Sequence, residues 1–119
     1  PYTTLFRSTL LDYAGAPAPA VMQGRSLRPW VDSKRVGQWR NDWFYEHHFS
    51  NGGTIPSTEG IRTTRWKYTR YVDETPVFEE LFDLRQDPLE TRNLAGSSSH
   101  RRTLQSLRQR WEQLGRELQ

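Results

Sequence analysis

Apolar and aromatic residues alternate with polar ones through the middle of the chain, which is the pattern of strands that bury one face. The alternating runs cover Asp42 to Phe49, Ile61 to Thr63, Trp66 to Val72, and Phe78 to Leu84. Short turns, one of them near Thr64 and Arg65, separate the last three runs. The pattern therefore predicts three or four antiparallel strands that follow one another as a meander.

The first of these runs carries aromatic residues on both of its faces. One face has Trp43, Tyr45, His47 and Phe49, and the other has Phe44, Glu46 and His48. Aromatic side chains contribute large buried areas, so we expect this strand to be buried on both sides.

The C-terminal residues follow a helical period instead. An apolar stripe with steps of three and four residues runs through Leu104, Leu107, Trp111, Leu114 and Leu118. We expect the serines at 97–99 to cap this helix and its stripe to cover the sheet, with Trp66, Tyr68 and Trp111 in the core. The sequence thus predicts an α+β fold, a small antiparallel sheet with a C-terminal helix packed on it.

The segment before the first strand has a different composition. Thr9 to Ala14 predicts the last turn of a helix that Gly15 ends in the left-handed conformation. Three prolines lie between Gly15 and Trp30. They predict an extended path with one short helical turn near Ser26 to Val31. The first eight residues, PYTTLFRS, read like the in-frame translation of a sequencing adapter joined to an environmental read. We therefore expect residues 1–8 to be a scar and the chain to be truncated at its N-terminus.

Composition and charge exclude several classes of protein. The net charge is +3, from 17 basic and 14 acidic residues that are interspersed, which disfavours nucleic acid as a partner. Cysteine is absent, so the chain has no disulfide, no thiolate metal site and no cysteine nucleophile. Apolar runs are far shorter than the roughly twenty residues that cross a bilayer, so we expect no membrane partner.

The stretch EELFDLRQDPLETRNLAG, residues 79–96, predicts a strand, a corner at Asp87 and Pro88, and a return toward the final helix. Together with EGIRTTRWKYTRY and TLLDYAGAPAPAVMQGRSLRPW upstream, it resembles the C-terminal part of the sulfatase family in the alkaline-phosphatase-like superfamily. The resemblance begins at Thr9 and extends to the final helix. It implies that residues 9–41 are the end of a catalytic α/β domain with its linker, and that residues 42–119 are a C-terminal subdomain.

The resemblance also implies hydrolysis of sulfate esters or sulfamates by a formylglycine made within the motif C/S-x-P-S-R, assisted by a calcium ion. This sequence contains no such motif, and the aspartate pair that holds calcium in the family has no counterpart. We therefore predict no catalytic residue, no metal ligand and no cofactor in this chain, which should be inactive alone. Calcium and formylglycine are expected in the parent enzyme, which by resemblance is periplasmic or secreted.

The partners implied by the resemblance are the N-terminal catalytic domain and a sulfated carbohydrate or ester. The candidate substrate-binding residues are Glu46, His47, His48 and Arg62, beside a loop at residues 51–59. Imidazole and guanidinium groups donate hydrogen bonds to sulfate, carboxylate and hydroxyl oxygens. Adjacent strand residues point to opposite faces, so the two histidines cannot reach one ligand, and we favour His48, which shares a face with Glu46.

The same residues have a purely structural interpretation. Two histidines in an aromatic strand are commonly hydrogen-bonded parts of the fold, and Arg62 has Glu59 or Asp73 as an expected partner. The spacing of His47, His48 and His100 matches no common zinc-ligand pattern.

Two other classes of function remain open on the sequence. One is a free-standing module that binds single-stranded nucleic acid through Lys67, Arg70 and Tyr71. The other is an interaction domain whose partner covers an exposed apolar surface. Salt-sensitive binding of oligonucleotides would distinguish the first from the second.

Overall fold

The computed structural model describes residues 3–48 and 55–118 of the chain. The chain divides into two compact units, Pro1–Trp39 and Arg40–Gln119. Among the described residues, no helix is both long and apolar enough to cross a membrane.

The first unit contains two helices, α1 (Thr3–Tyr13) and α2 (Arg28–Val31). At the end of α1, the Gly15 N–H donates to the Asp12 carbonyl (3.2 Å) and the Ala16 N–H donates to the Leu11 carbonyl (2.9 Å). Gly15 has a φ of +66°. This glycine-terminated end confirms the predicted one. Because α1 begins at Thr3, it includes most of the PYTTLFRS segment, whose origin as a scar stays a prediction.

Polar contacts centred on Arg28 join the two helices of the first unit. Its guanidinium donates to the carbonyl (2.8 Å) and carboxylate (3.2 Å) of Asp12, and to the carboxylate of Asp32 (3.2 Å). It also lies 4.8 Å from the centre of the Tyr13 ring, whose hydroxyl donates to Asp32. The short helix α2 confirms the helical turn predicted near Ser26 to Val31.

The second unit contains a four-stranded antiparallel sheet in the order β1, β2, β3, β4. The strands are β1 (Asp42–His47), β2 (Thr58–Thr63), β3 (Trp66–Tyr71) and β4 (Phe78–Asp83). This arrangement confirms the predicted meander. β2 begins earlier than predicted because Thr58, Glu59 and Gly60 pair with β3 although they carry no apolar pattern. Phe49 and residues 51–54 of the predicted loop lie outside the described residues.

Helix α3 (Arg101–Glu117) packs on one face of this sheet. The core between them consists of Ile61, Tyr68, Leu81, Leu104 and Leu107, with Trp66 and Trp111 packed against it. The predicted core positions of Trp66, Tyr68 and Trp111 are therefore confirmed. The apolar stripe ends at Leu114, since Leu118 follows the last helical residue and is 40% exposed.

The serines before α3 do not cap it, contrary to the prediction. A 3-10 turn at Ser98–His100 precedes the helix, and no side chain caps the turn or the helix. The Ser97 hydroxyl hydrogen-bonds instead to the Ser99 hydroxyl (2.9 Å) and to His100 Nδ1 (3.0 Å). The reason is that the tighter turn uses the Ser97 carbonyl to accept from the His100 N–H.

Strand β1 is an edge strand, so the expected burial on both of its faces is wrong. Phe44 is half-buried on the face that α3 covers, near Gly115. On the other face, which α3 does not cover, Trp43 is 42% exposed. We call this second sheet face the open face, although Thr69 and Phe82 are buried within it; it carries Trp43, Tyr45, His47, Gly60, Arg62, Lys67, Thr69, Tyr71, Phe78 and Phe82.

The connector from β4 to α3 completes the hydrogen bonding of the other edge of the sheet. The Leu81 N–H donates to Asn93 Oδ1 (3.0 Å), and Asn93 Nδ2 donates to the Glu79 carbonyl (2.9 Å). The Leu94 N–H in turn donates to the Leu81 carbonyl (2.8 Å). The Asn93 side chain therefore makes the hydrogen bonds to β4 that a further strand would otherwise make. An irregular segment can lie at this edge because the backbone groups of β4 are satisfied in this way.

Candidate functional site

His48 and Glu46 come together with Glu59 where β1 ends and β2 begins. His48 Nε2 lies 3.2 Å from Glu59 Oε1 and 3.9 Å from Glu46 Oε2. Glu46 and Glu59 are direct partners across the two strands, on the face that α3 covers. We call these three residues the His48 cluster. Strand parity predicts the pairing of His48 with Glu46, whereas Glu59 joins only through strand register.

The His48 cluster is open to solvent and can both donate and accept hydrogen bonds. The side chains of His48 and Glu46 are 49% and 57% exposed, and that of Glu59 is 21% exposed. Two carboxylates directly opposite each other in a sheet repel. His48 Nε2 lies beside both carboxylates, and Arg70 is the neighbour of Glu59 on strand β3. The cluster therefore suits neutral or cationic donors, such as sugar hydroxyl and amino groups, better than it suits sulfate.

His47 and Arg62 lie apart from this cluster. Both belong to the open face, where His47 pairs with Thr58 and Arg62 pairs with Trp43, near opposite ends of β1. Arg62 lies 6.0 Å from the centre of the Trp43 ring. The structure therefore does not bring the four predicted residues into one site, and their role in substrate binding stays a prediction.

The predicted partners of Arg62 are wrong. Arg62 Nη1 lies 3.8 Å from Glu90 Oε1, and the Lys67 ammonium donates to the same carboxylate. Glu59 cannot serve as the partner because it lies on the other face of the sheet. Glu90 belongs to the connector after β4. Its φ of +55° is a left-handed conformation that is uncommon for residues other than glycine. No local spacing in the sequence indicates this group.

Tyr45 packs against a glycine at the centre of the open face. Its hydroxyl shares a hydrogen bond with the Thr69 hydroxyl, and its ring lies directly over Gly60. Burial raises the pKa of the Tyr45 hydroxyl, and the hydrogen bond with Thr69 offsets this only in part. Gly60 therefore permits a close approach that any side chain would prevent.

A charged group lies beneath α3 at the end of the sheet nearest the His48 cluster. The Tyr68 hydroxyl donates to Glu79 Oε1 (2.5 Å), and the Arg108 guanidinium donates to both oxygens of Glu79. Burial alone would raise the pKa of Glu79, but the hydrogen bonds from Arg108 and Tyr68 outweigh it and lower that pKa. Burial, followed by the contact with Glu79, raises the pKa of Tyr68.

We expect this group to make the stability of the second unit depend on pH. Because folding lowers the pKa of Glu79 below its ordinary value of 4.5, its contribution is present above that pH and is lost as the pH falls further. In urea unfolding at several pH values, the free energy of unfolding should fall as the pH is lowered from about 6 to about 3. Glu79→Gln should make this fall shallower. Glu74→Gln, at an exposed turn, is the matched control. A wild-type and a Glu79→Gln curve of equal slope would contradict this expectation.

The described residues supply no metal site. Within residues 3–48 and 55–118, no three His, Cys, Asp or Glu side chains are placed to hold a metal ion. His100 lies against Trp66, at 5.9 Å between ring centres, where its Nδ1 bonds to Ser97 and Ser99.

The residues proposed for nucleic-acid binding do not share one face. Arg70 lies 4.8 Å from the centre of the Trp111 ring, on the side of α3, whereas Lys67 and Tyr71 lie on the open face. The Tyr71 hydroxyl donates to Glu80 (3.0 Å), and Lys67 is paired with Glu90. The surface on which that alternative depended is therefore not formed.

Comparison with known proteins agrees with the sulfatase resemblance. Residues 3–117 match the family model described as N-sulphoglucosamine sulphohydrolase, C-terminal. Arylsulfatase K of Canis lupus familiaris is 40% identical over 93 residues, which are 73% of this chain and 17% of that protein. N-acetylglucosamine-6-O-sulfatase of Bacteroides thetaiotaomicron is 28% identical over 111 residues, which are 91% of this chain and 20% of that protein.

A solved structure supports the same relation. One protein, in complex with its substrate D-glucosamine-2-N,6-O-disulfate, superposes with a TM-score of 0.85 and 27% identity. The match covers 95% of this chain and 23% of that one. The α+β fold and the relation to sulfatases are thus confirmed, and the chain spans about a fifth of the length of these curated relatives.

Proposed function

Because the chain belongs to the family of N-sulphoglucosamine sulphohydrolase C-terminal domains, we propose that it acts as the C-terminal subdomain of a longer sulfatase. The parent enzyme hydrolyses sulfate esters of sugars, the activity named for its relatives. The observation that carries this proposal is the match over nearly the whole chain, in sequence and in fold, to proteins with that activity.

The catalytic groups of this reaction belong to the remainder of that enzyme. The sequence contains no cysteine and no C/S-x-P-S-R motif, so it offers no residue from which formylglycine is made. The described residues likewise form no cluster suited to the calcium ion expected in the parent. Neither group fits this chain, and the chain alone should release no sulfate.

The His48 cluster is the part of this chain best suited to contact substrate. Its two carboxylates accept hydrogen bonds from sugar hydroxyl or amino groups, and the Nδ1 atom of its imidazole, whose Nε2 faces Glu59, is left to bond a sugar hydroxyl, while the sulfate is held elsewhere. His48 and Glu46 are the exposed members, so they are available to a ligand, and Glu59 orients His48 from behind. Arg62, held by Glu90 on the other face, is not positioned for the same sugar.

The open face is the surface on which the catalytic domain would pack. Trp43 and Phe78 are 42% and 50% exposed there, and the Tyr71 and Phe78 rings are in contact at 5.2 Å between centres. Trp43 and the Tyr71–Phe78 pair lie at opposite corners of this face, so a partner that covers the whole face would bury both. This placement assigns one sheet face to α3 and the other to the rest of the enzyme.

A chimera tests the proposed function. Residues 9–119 would replace the matched C-terminal segment of the Bacteroides N-acetylglucosamine-6-O-sulfatase, and sulfate release from N-acetylglucosamine-6-sulfate would be measured. We expect activity in the chimera and none in the chain alone. In the chimera, His48→Ala should raise KM about tenfold with little change in kcat, since a ground-state contact is lost.

The matched control is His47→Ala, which removes the neighbouring imidazole from the other face of the sheet. We expect its KM to stay within about twofold of the unmodified chimera. A folded but inactive chimera, or sulfate release by the chain alone, would refute the proposed function. Equal effects of His47→Ala and His48→Ala would refute the role of the His48 cluster.

A further inference from the structure

The net positive charge of the chain resides entirely in the first unit. Residues 1–39 contain five basic and two acidic residues, whereas residues 40–119 contain twelve of each. Both acids of the first unit, Asp12 and Asp32, contact Arg28. Lys34 also contacts Asp32 (3.5 Å), and the four cations at positions 25, 28, 34 and 35 still outnumber these two acids.

Two tryptophans lie among these cations. The Trp30 and Trp39 rings are perpendicular, with centres 5.9 Å apart, and Trp30 is 54% exposed. The Arg25 guanidinium stacks on Trp39 at 4.6 Å from the ring centre. One of its N–H groups donates to the Gln38 carbonyl (3.3 Å). We call Arg25, Trp30, Lys34, Arg35 and Trp39 the Trp30 patch.

The stacked guanidinium keeps most of its hydrogen-bonding capacity. Stacking on Trp39 uses the face of the guanidinium and leaves its edge, where the N–H donors lie, and Gln38 takes only one of them. The remaining fork can bind a sulfate or carboxylate group through two bonds. Lys34 is paired with Asp32 (3.5 Å), and Arg35, which follows it in the chain, is an exposed cation. The exposed Trp30 ring offers an apolar surface beside them.

We propose that the Trp30 patch binds a sulfated saccharide, with a pyranose ring on Trp30 and its sulfate groups on Arg25 and Arg35. This inference rests on the proposed function only in that the parent acts on sulfated sugars. Single-stranded nucleic acid fits less well, because it requires ring faces on which successive bases stack. Here the two rings are perpendicular and one face of Trp39 is occupied by Arg25.

The test is calorimetric titration of the full chain with a heparin-derived hexasaccharide and with its fully desulfated counterpart. We expect the sulfated form to bind at least about tenfold more tightly, and added salt to weaken it. Arg25→Gln and Arg35→Gln should each weaken binding about fivefold, and Trp30→Ala should do the same. Arg102→Gln, an exposed arginine in the second unit, is the charge-matched control and should change binding less than about twofold.

Far-UV circular dichroism of each variant would establish that the fold is kept, and the two arginine variants alter only exposed side chains. Absence of binding at low salt, or equal losses in Arg25→Gln and Arg102→Gln, would overturn the proposal. Equal affinity for an oligonucleotide of matched charge, unaffected by Trp30→Ala, would also overturn it. Binding is measured without turnover, so an active chimera with a non-binding patch refutes the patch alone, and an inactive chimera with a binding patch refutes the proposed function alone.

Discussion

Replacing Gly60 with alanine should lower the free energy of unfolding of the second unit by about 3 kcal/mol, at the upper end of the usual cost of overpacking. The new Cβ would meet the backbone carbonyl oxygen of Tyr68 and lie only 2.6 Å from Tyr45 Cζ. The carbonyl belongs to the adjacent strand and can move only with the backbone of the sheet, whereas the Tyr45 ring can move only by losing its hydroxyl bond to Thr69. Urea unfolding followed by tryptophan fluorescence measures the loss.

Gly96→Ala is the matched control for this substitution. Nothing lies within 4 Å of the Cβ it would add, so its free energy of unfolding should change by less than about 0.5 kcal/mol. Adding Tyr45→Ala to Gly60→Ala separates the two contacts, because it relieves the ring but leaves the Tyr68 carbonyl. Equal stabilities of the Gly60→Ala and Gly96→Ala chains would show that the sheet tolerates a side chain at this position.

Replacing Asn93 with alanine should lower the free energy of unfolding by about 1–2 kcal/mol. A buried group left without a partner costs about 1–3 kcal/mol, but Asn93 is exposed and only its bond from the Leu81 N–H is partly buried, so water can replace the other bonds. The Leu81 N–H and the Glu79 carbonyl would both lose their Asn93 partner, and Leu81 is fully buried. The Ala95 N–H, which also donates to Asn93 Oδ1 (2.9 Å), would lose its acceptor as well. The same urea titration measures the change.

Asn93→Asp tests the mechanism more sharply than the alanine variant. The carboxylate keeps an acceptor for the Leu81 and Ala95 N–H groups but has no donor for the Glu79 carbonyl. An intermediate loss is therefore expected. Asn41→Ala, at an exposed position, controls for the loss of an amide side chain and should be nearly neutral. If Asn93→Ala and Asn41→Ala had equal free energies of unfolding, the hydrogen bonds from Asn93 to the backbone of β4 would not contribute to stability.

Both substitutions bear on the proposed function as well as on stability. Gly60 and Tyr45 form the centre of the open face, which we assign to the catalytic domain. Asn93 holds the connector that carries Glu90 to Lys67 and Arg62 on that same face. Loss of either residue should therefore weaken docking of the subdomain along with its fold.

Local periodicity was enough to predict most of the elements. The alternation around Tyr68 and the stripe through Leu104 and Leu107 depend only on which positions are apolar. Their mutual burial follows, because the apolar stripe of a helix and the apolar face of a sheet have few other places to pack. The glycine end of α1 is local in the same sense, since Gly15 supplies a conformation that other residues avoid.

The predictions that were wrong concern residues whose environment depends on distant parts of the chain. Aromatic residues on both faces of β1 indicated burial on both sides, but its place at the sheet edge leaves Trp43 exposed. The serines before α3 were good capping residues, yet a tighter turn directs their hydroxyls to one another and to His100. In each case the residue type suited the predicted role, but the position of the surrounding backbone gave the side chain a different environment.

The candidate site likewise has some features that follow from residue spacing and others that depend on the tertiary structure. By itself the sequence determined the α+β meander, the helix that covers it, and the shared face of Glu46 and His48, because these depend on residue spacing within one element. Only the tertiary structure decided that Glu59 faces His48 and that Glu90 pairs with Lys67 and Arg62. Strand register and the course of the connector bring together residues distant in sequence, and no local pattern encodes those meetings.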